Sequence, residues 1–260
     1  MTCSLEQADW DPEAYSRFRD LRLRPAVDLL AAVRSVGVGD MVDLGCGNGA
    51  MGWRLKGRFA DKHLLGVDSS SAMLEKAHET HSYDALRNVD ISQYEIQGAG
   101  LIYSNAALHW LQDHETLLPR LRGMLGAGGT LAVQMPHQNN APSHRMWRTL
   151  VEELFPGRVD FDVGPKVAMP AQYYDLLSPL GALAIWETEY YHVLDEDMSA
   201  HPVRRFTEST YARPILAALD SEEQIALIAR YEQIMDKAYP RSADGSVLFP
   251  FKRLFFTLTV

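Results

Sequence analysis

From Met41 to Met135, short apolar runs alternate with segments whose apolar residues recur at helical spacing. Met41–Leu44, Leu64–Val67, Ala85–Val89, Gly100–Ser104 and Thr130–Met135 read as strands. Between them, Ala50–Phe59, a serine-led segment through Ala77, and Asp113–Met124 read as helices. Gly126, Gly128 and Gly129 punctuate the end of the last of these. Strand–helix alternation predicts an α/β fold with a doubly wound, mostly parallel sheet and right-handed crossovers. Such sheets bind ligands at the carboxyl ends of their strands. Asp43, Asp68, Asp90, Asn105 and Gln134 fall at or near those ends.

The flanks read differently. Ala14–Val33 is helical, with Pro25 placed to start a new helix. After Pro136 come a helix at Ser143–Leu154, an irregular stretch at Arg158–Met169, and a helix at Ala171–Leu180. Ala184–Val193 alternates as a strand. Val203–Leu219 and Glu222–Ala238 are helical, and Ser246–Val260 is a last strand broken near Pro250. The organisation expected is a helical lid segment at 1–35, a binding core at 36–140, and a remainder at 141–260 within the same structural domain. Its helices at about 195–245 would cap the strand ends.

The chain has 260 residues and a net charge of −9, with no basic run. That excludes a broad nucleic-acid footprint, which needs a basic face. The N-terminus lacks the basic and apolar regions of a secretory leader. No apolar run approaches membrane-spanning length. The only cysteines are Cys3 and Cys46, so no disulfide framework is expected. A cytoplasmic protein with a small-molecule substrate, no obligate protein partner and no metal is the expectation.

The chemistry concentrates at Val42-Asp43-Leu44-Gly45-Cys46-Gly47-Asn48-Gly49, a glycine-rich turn between a strand and a helix. Gly45 and Gly47 let a ligand approach the main chain. A second strand ends in Asp68, about 20 residues on, where an acid accepts from both hydroxyls of a ribose. The pattern is neither the dinucleotide fingerprint nor a P-loop. Asp43 beside the glycines would repel a pyrophosphate and suits a cationic amine. S-adenosylmethionine has an ammonium, a sulfonium and a ribose, and no phosphate.

The pair D-x-G-x-G-x-G and G-V-D-x-S resembles class I S-adenosylmethionine-dependent methyltransferases. Along nearly its whole length the chain resembles the trans-aconitate methyltransferase family. The resemblance rests on D-W-D-P-E-A-Y from Asp9, R-L-R-P-A-V-D-L-L from Arg22, S-N-A-A-L-H-W-L from Ser104 and L-A-V-Q-M-P from Leu131. Y-Y-H from Tyr190, A-R-P from Ala212 and F-P-F-K-R-L-F from Phe249 complete it. It implies a seven-stranded Rossmann-like sheet, and methyl transfer to a carboxylate of trans-aconitate with S-adenosylhomocysteine as product. A carboxylate is ionised at neutral pH, so no general base is expected. Cofactor contacts are expected from Asp43, Gly45, Gly47, Asp68, Ser69, Asp90, Ile91, Asn105 and Trp110. A polyanionic acid calls for arginines, whose forks pair with carboxylates. Arg213 and Arg253 are the chief candidates, with Arg22, Arg24, Tyr15, Tyr191 and His192 beside them. Alternative readings are another small acid or a carrier-bound acyl group as acceptor, or a cofactor-binding protein without catalysis.

Overall fold

The computed structural model describes residues 19–161 and 167–260. The strands are β1 (Met41–Leu44), β2 (Leu64–Asp68), β3 (Ala85–Asn88), β4 (Ala99–Asn105), β5 (Leu125–Pro136), β6 (Ala182–Leu194) and β7 (Val247–Thr259). Among the described residues they form one seven-stranded sheet in the order β3-β2-β1-β4-β5-β7-β6. β1 lies parallel to β2 and β4, β2 to β3, and β4 to β5, while β7 runs antiparallel to β5. The expected doubly wound, mostly parallel sheet is present. Its central strands β1 and β4 are buried almost throughout, which is why they read as unbroken apolar runs.

The helices are α1 (Arg19–Ala32), α2 (Gly52–Arg58), α3 (Ser71–Glu79), α4 (His114–Gly123), α5 (Pro142–Leu154), α6 (Pro170–Leu177), α7 (Pro202–Glu208), α8 (Arg213–Ala217) and α9 (Ser221–Ala238). Ser70 caps α3 by accepting from Met73 N. Asp220 and Glu223 form a capping box on α9.

Four elements differ from the expectation. Pro25 lies inside α1 rather than starting a helix. The stretch expected as one helix from Val203 divides into α7 and α8. β5 begins at Leu125, so Gly126, Gly128 and Gly129 belong to the strand. A Cβ on Gly129 would lie 2.7 Å from Ala99 O, so this glycine answers backbone crowding beside β4. β7 passes through Pro250 unbroken. There the Gln138 side chain pairs with the strand, donating to Pro250 O at 3.0 Å and accepting from Lys252 N at 3.2 Å.

The described chain forms two compact units, one of residues 22–136, 167–188 and 253–260, the other of 19–21, 137–161 and 189–252. The core of the first includes Val42, Leu44, Val67, Ile102, Leu131 and Phe256. The second has its own core around Trp147, which stacks on Tyr231 at 3.8 Å and donates to Thr207 Oγ1. Beside it, Arg204 is paired with Glu208 and Glu232.

Candidate functional site

The glycine-rich loop leaves β1 with Gly45 N and Cys46 N both donating to Val67 O. Gly45 has φ +79° and Gly47 φ +53°. The two glycines differ in what faces them. A Cβ on Gly45 would lie 2.3 Å from Ala107 Cβ, so the chain packs against it. Among the described residues nothing lies within 4 Å of the Cβ that Gly47 lacks, which leaves space for a ligand to approach the main chain.

Asp68, at the end of β2, holds the loop. Its Oδ2 accepts from Gly47 N at 2.8 Å and its Oδ1 from Ser70 N at 2.9 Å. A carboxylate oxygen has two acceptor positions, so each retains one for a ribose hydroxyl. Ser69 is exposed, and its carbonyl accepts from Asn88 Nδ2 at 2.9 Å.

Asp43 is buried, at 3 % exposure. Tyr83 Oη donates to its Oδ2 at 2.7 Å, while Oδ1 takes no hydrogen bond among the described residues. Burial pushes the Asp43 carboxyl up to about 7, the Tyr83 bond draws it down, and the Asp68 charge adds to the rise. Burial and the Asp43 charge raise the Tyr83 hydroxyl well above its usual range, so it stays a neutral donor. Cys46 is likewise held as a thiol, chiefly by burial.

Tyr83 was not singled out from the sequence. The signal was in the glycines: Cβ atoms at Gly49, Gly52 and Gly66 would lie 3.1, 2.6 and 2.9 Å from its ring. Three glycines from two chain segments give up side chains to seat one tyrosine.

Beyond β3, Asp90 Oδ1 accepts from Ser92 N at 2.7 Å, a turn that fixes Asp90 and the buried Ile91. Ile91 Cδ1 lies 3.5 Å from the Cβ position of Gly45, so it borders the loop. Asn105 ends β4, and its buried Oδ1 has no partner among the described residues. Ala106, at φ +53°, turns the chain into a 3-10 turn at Leu108–Trp110 that carries half-buried Trp110. Contacts thus bring Asp43, Gly45, Gly47, Asp68 and Ile91 together. Open space at Gly47, free acceptor positions on Asp68 and Asp43, and the orphan Asn105 Oδ1 fit a ligand with a ribose and a cationic amine.

The acceptor candidates are less gathered. Arg253 is buried on β7, opposite Pro136 of β5, at the same sheet edge as Asn105. Arg213 opens α8 in the second unit and is half-buried. His192, in that unit, is buried with ring contacts to Phe206 and Phe251. Tyr191 is exposed and donates to Glu189 Oε2 at 2.7 Å. Arg24 is largely exposed and pairs with Asp28 at 3.6 Å. Tyr15 lies outside the described residues, as does most of the expected lid, and of Arg22 only the backbone, within α1, is described.

A family model described as a methyltransferase domain matches residues 42–131. The chain is 38% identical over 260 residues to a trans-aconitate 2-methyltransferase of Methylobacterium radiotolerans, covering 95% of this chain and 97% of that protein. It is 40% identical over 252 residues to a trans-aconitate 2-methyltransferase of Yersinia pestis, covering 95% and 96%. The solved structure of the YcgJ protein from Bacillus subtilis aligns with a TM-score of 0.55 at 13% identity, over 91% of this chain and 98% of that one, and shares the fold. With its relatives matched from end to end, the chain belongs to the trans-aconitate 2-methyltransferase family.

Proposed function

We propose that this protein transfers a methyl group from S-adenosylmethionine to one carboxylate of trans-aconitate, releasing S-adenosylhomocysteine and a monomethyl ester. The observation that carries the reading is identity of 38% and 40% to proteins of that name over 95% of the chain. The likeness therefore covers the second unit as well as the cofactor loop.

The cofactor supplies an electrophilic methyl group on a sulfonium. The chain's residues bind and orient. Asp68 holds the ribose hydroxyls, Gly47 gives the ligand room, and the open oxygens of Asp43 and Asn105 receive the ammonium. Asp90, Ile91 and Trp110 border the rest. The acceptor carboxylate is already ionised, so no residue need remove a proton. What remains is alignment and exclusion of water. Arg253 and Arg213 balance the acceptor's other carboxylates, since each buried charge needs a partner.

Among the described residues no helix is long and apolar enough to cross a membrane. We place the activity in the cytoplasm, where the free thiol of Cys46 stays reduced. The reading is tested by following S-adenosylhomocysteine release with a panel of di- and tricarboxylates. Trans-aconitate gives the highest kcat/KM, and activity confined to carrier-bound acyl groups would sink the free-acid assignment.

A further inference from the structure

Gln134 lies in the buried stretch of β5 with no exposed surface, and among the described residues neither its Nε2 nor its Oε1 has a hydrogen-bond partner. Its register partner on β4 is Asn105, whose buried Oδ1 is also unpartnered. Register partners on adjacent strands send their side chains to one face. On the other flank Gln134 is opposite Phe255, and Arg253, two residues away on β7, shares that face. An orphan buried amide costs stability, and an apolar side chain of equal size would remove the cost. Folds keep such a cost where a site is built for a ligand.

The strand order says which ligand. From β3 to β2 to β1 to β4 come Asp90, Asp68, Asp43 and Asn105, the residues assigned to the cofactor from one end to the other. Gln134 stands one strand farther, about 5 Å on, toward Arg253. The pair offers two orphan acceptors and one orphan donor group. That set complements an ammonium and a carboxylate oxygen.

We infer that Asn105 and Gln134 form a polar step joining the cofactor's ammonium to the reacting carboxylate of the acceptor, with Gln134 a substrate-positioning residue. The inference rests on the methyl-transfer reading. Asn105 Oδ1 and Gln134 Oε1 accept from the ammonium, and Gln134 Nε2 donates to the carboxylate oxygen that is not methylated. The other oxygen forms the new O–CH3 bond as the S–CH3 bond breaks. The electron pair of that bond passes to sulfur, and no proton moves. The held oxygen becomes the ester carbonyl and remains an acceptor. A neutral amide suits this place, because an arginine fork would engage both oxygens and withdraw charge from the nucleophile.

The test is Gln134→Met, which keeps volume and removes the amide, with Gln134→Leu as a second apolar replacement. Expected are a ligand-free Tm raised by about 2–4 °C, S-adenosylhomocysteine affinity lowered about tenfold by calorimetry as one hydrogen bond to the ammonium is lost, and a KM for trans-aconitate at saturating cofactor raised about tenfold or more. A lowered Tm in both variants shows a structural amide and overturns the inference. A loss of S-adenosylhomocysteine affinity with the KM for trans-aconitate unchanged at saturating cofactor assigns the amide to the cofactor alone and overturns the inference, and unchanged kinetics remove it from the acceptor site. Wild-type protein run alongside separates the two claims. If it methylates another small acid instead, the proposed function fails, and the same criteria applied to that acid decide the role of Gln134.

Discussion

Tyr83 Oη donates a 2.7 Å hydrogen bond to Asp43 Oδ2 across a separation of 40 residues. Asp43 is thereby held in one rotamer with its other oxygen left for a ligand. Tyr83→Phe keeps the ring on its glycines and deletes the donor. The Asp43 carboxyl, at about 7 with the bond in place, moves higher and is less ionised at neutral pH. S-adenosylhomocysteine affinity near pH 7 falls about tenfold, and the pH at which affinity rises shifts upward. Calorimetry between about pH 6 and 9 checks this, and superimposable profiles for the two proteins would contradict it.

The same carboxyl makes stability depend on pH. Its ordinary value is 3.8, and in the fold it is about 7. Between those values the folded state keeps a proton that the unfolded chain has released. Its contribution is whole below about pH 4 and is lost as pH rises through 7, by at most about 4 kcal/mol. Asp43→Asn does not titrate. The Tm of this variant relative to wild type therefore climbs between about pH 4 and 7, while its cofactor affinity drops. A pH-independent difference in melting would show that Asp43 ionises freely in the fold.

Much of this arrangement was legible in the chain, and the rest was not for physical reasons. Strand–helix alternation announced the sheet, and the loop and Asp68 were visible because both depend on local sequence. Tyr83 was invisible because its role is a contact with distant residues, recorded only in the glycines it needs. Gln134 was placed by sequence among the polar residues at the strand ends, but its pairing with Asn105 needed the register of β4 and β5. The glycines of β5 read as a stop because composition does not tell a turn from a close backbone approach. Pro250 read as a break because the side chain that pairs around it, Gln138, lies 112 positions earlier.

Gly45 and Gly47 separate packing from binding. In Gly45→Ala the new methyl overlaps Ala107 and the backbone is strained at φ +79°. It destabilises the fold by about 2 kcal/mol or more. In Gly47→Ala the methyl meets no atom of the described residues, so the loss is about 1–2 kcal/mol of backbone strain, while S-adenosylhomocysteine affinity falls at least about tenfold. Melting curves and calorimetry on both variants check the contrast. Equal effects on melting and equal binding would refute the view that Gly47 faces the ligand.

Arg253→Ala and Arg213→Ala each lower kcat/KM for trans-aconitate by an equivalent of about 2–4 kcal/mol, with cofactor affinity nearly unchanged. Lysine restores only part, because a point charge does not reproduce the arginine fork. Steady-state kinetics beside a cofactor titration makes the distinction. Wild-type kcat/KM in both alanine variants would remove these arginines from acceptor binding, and early melting with lost cofactor would make them structural.

The most direct test is mass spectrometry of trans-aconitate incubated with the protein and S-adenosylmethionine. The account predicts a product heavier by one CH2 unit, formed together with an equal amount of S-adenosylhomocysteine and returned to trans-aconitate by mild alkaline hydrolysis, as a carboxylate ester must be. No mass gain on trans-aconitate under conditions where the protein binds S-adenosylmethionine, or a product that resists alkali, would contradict it.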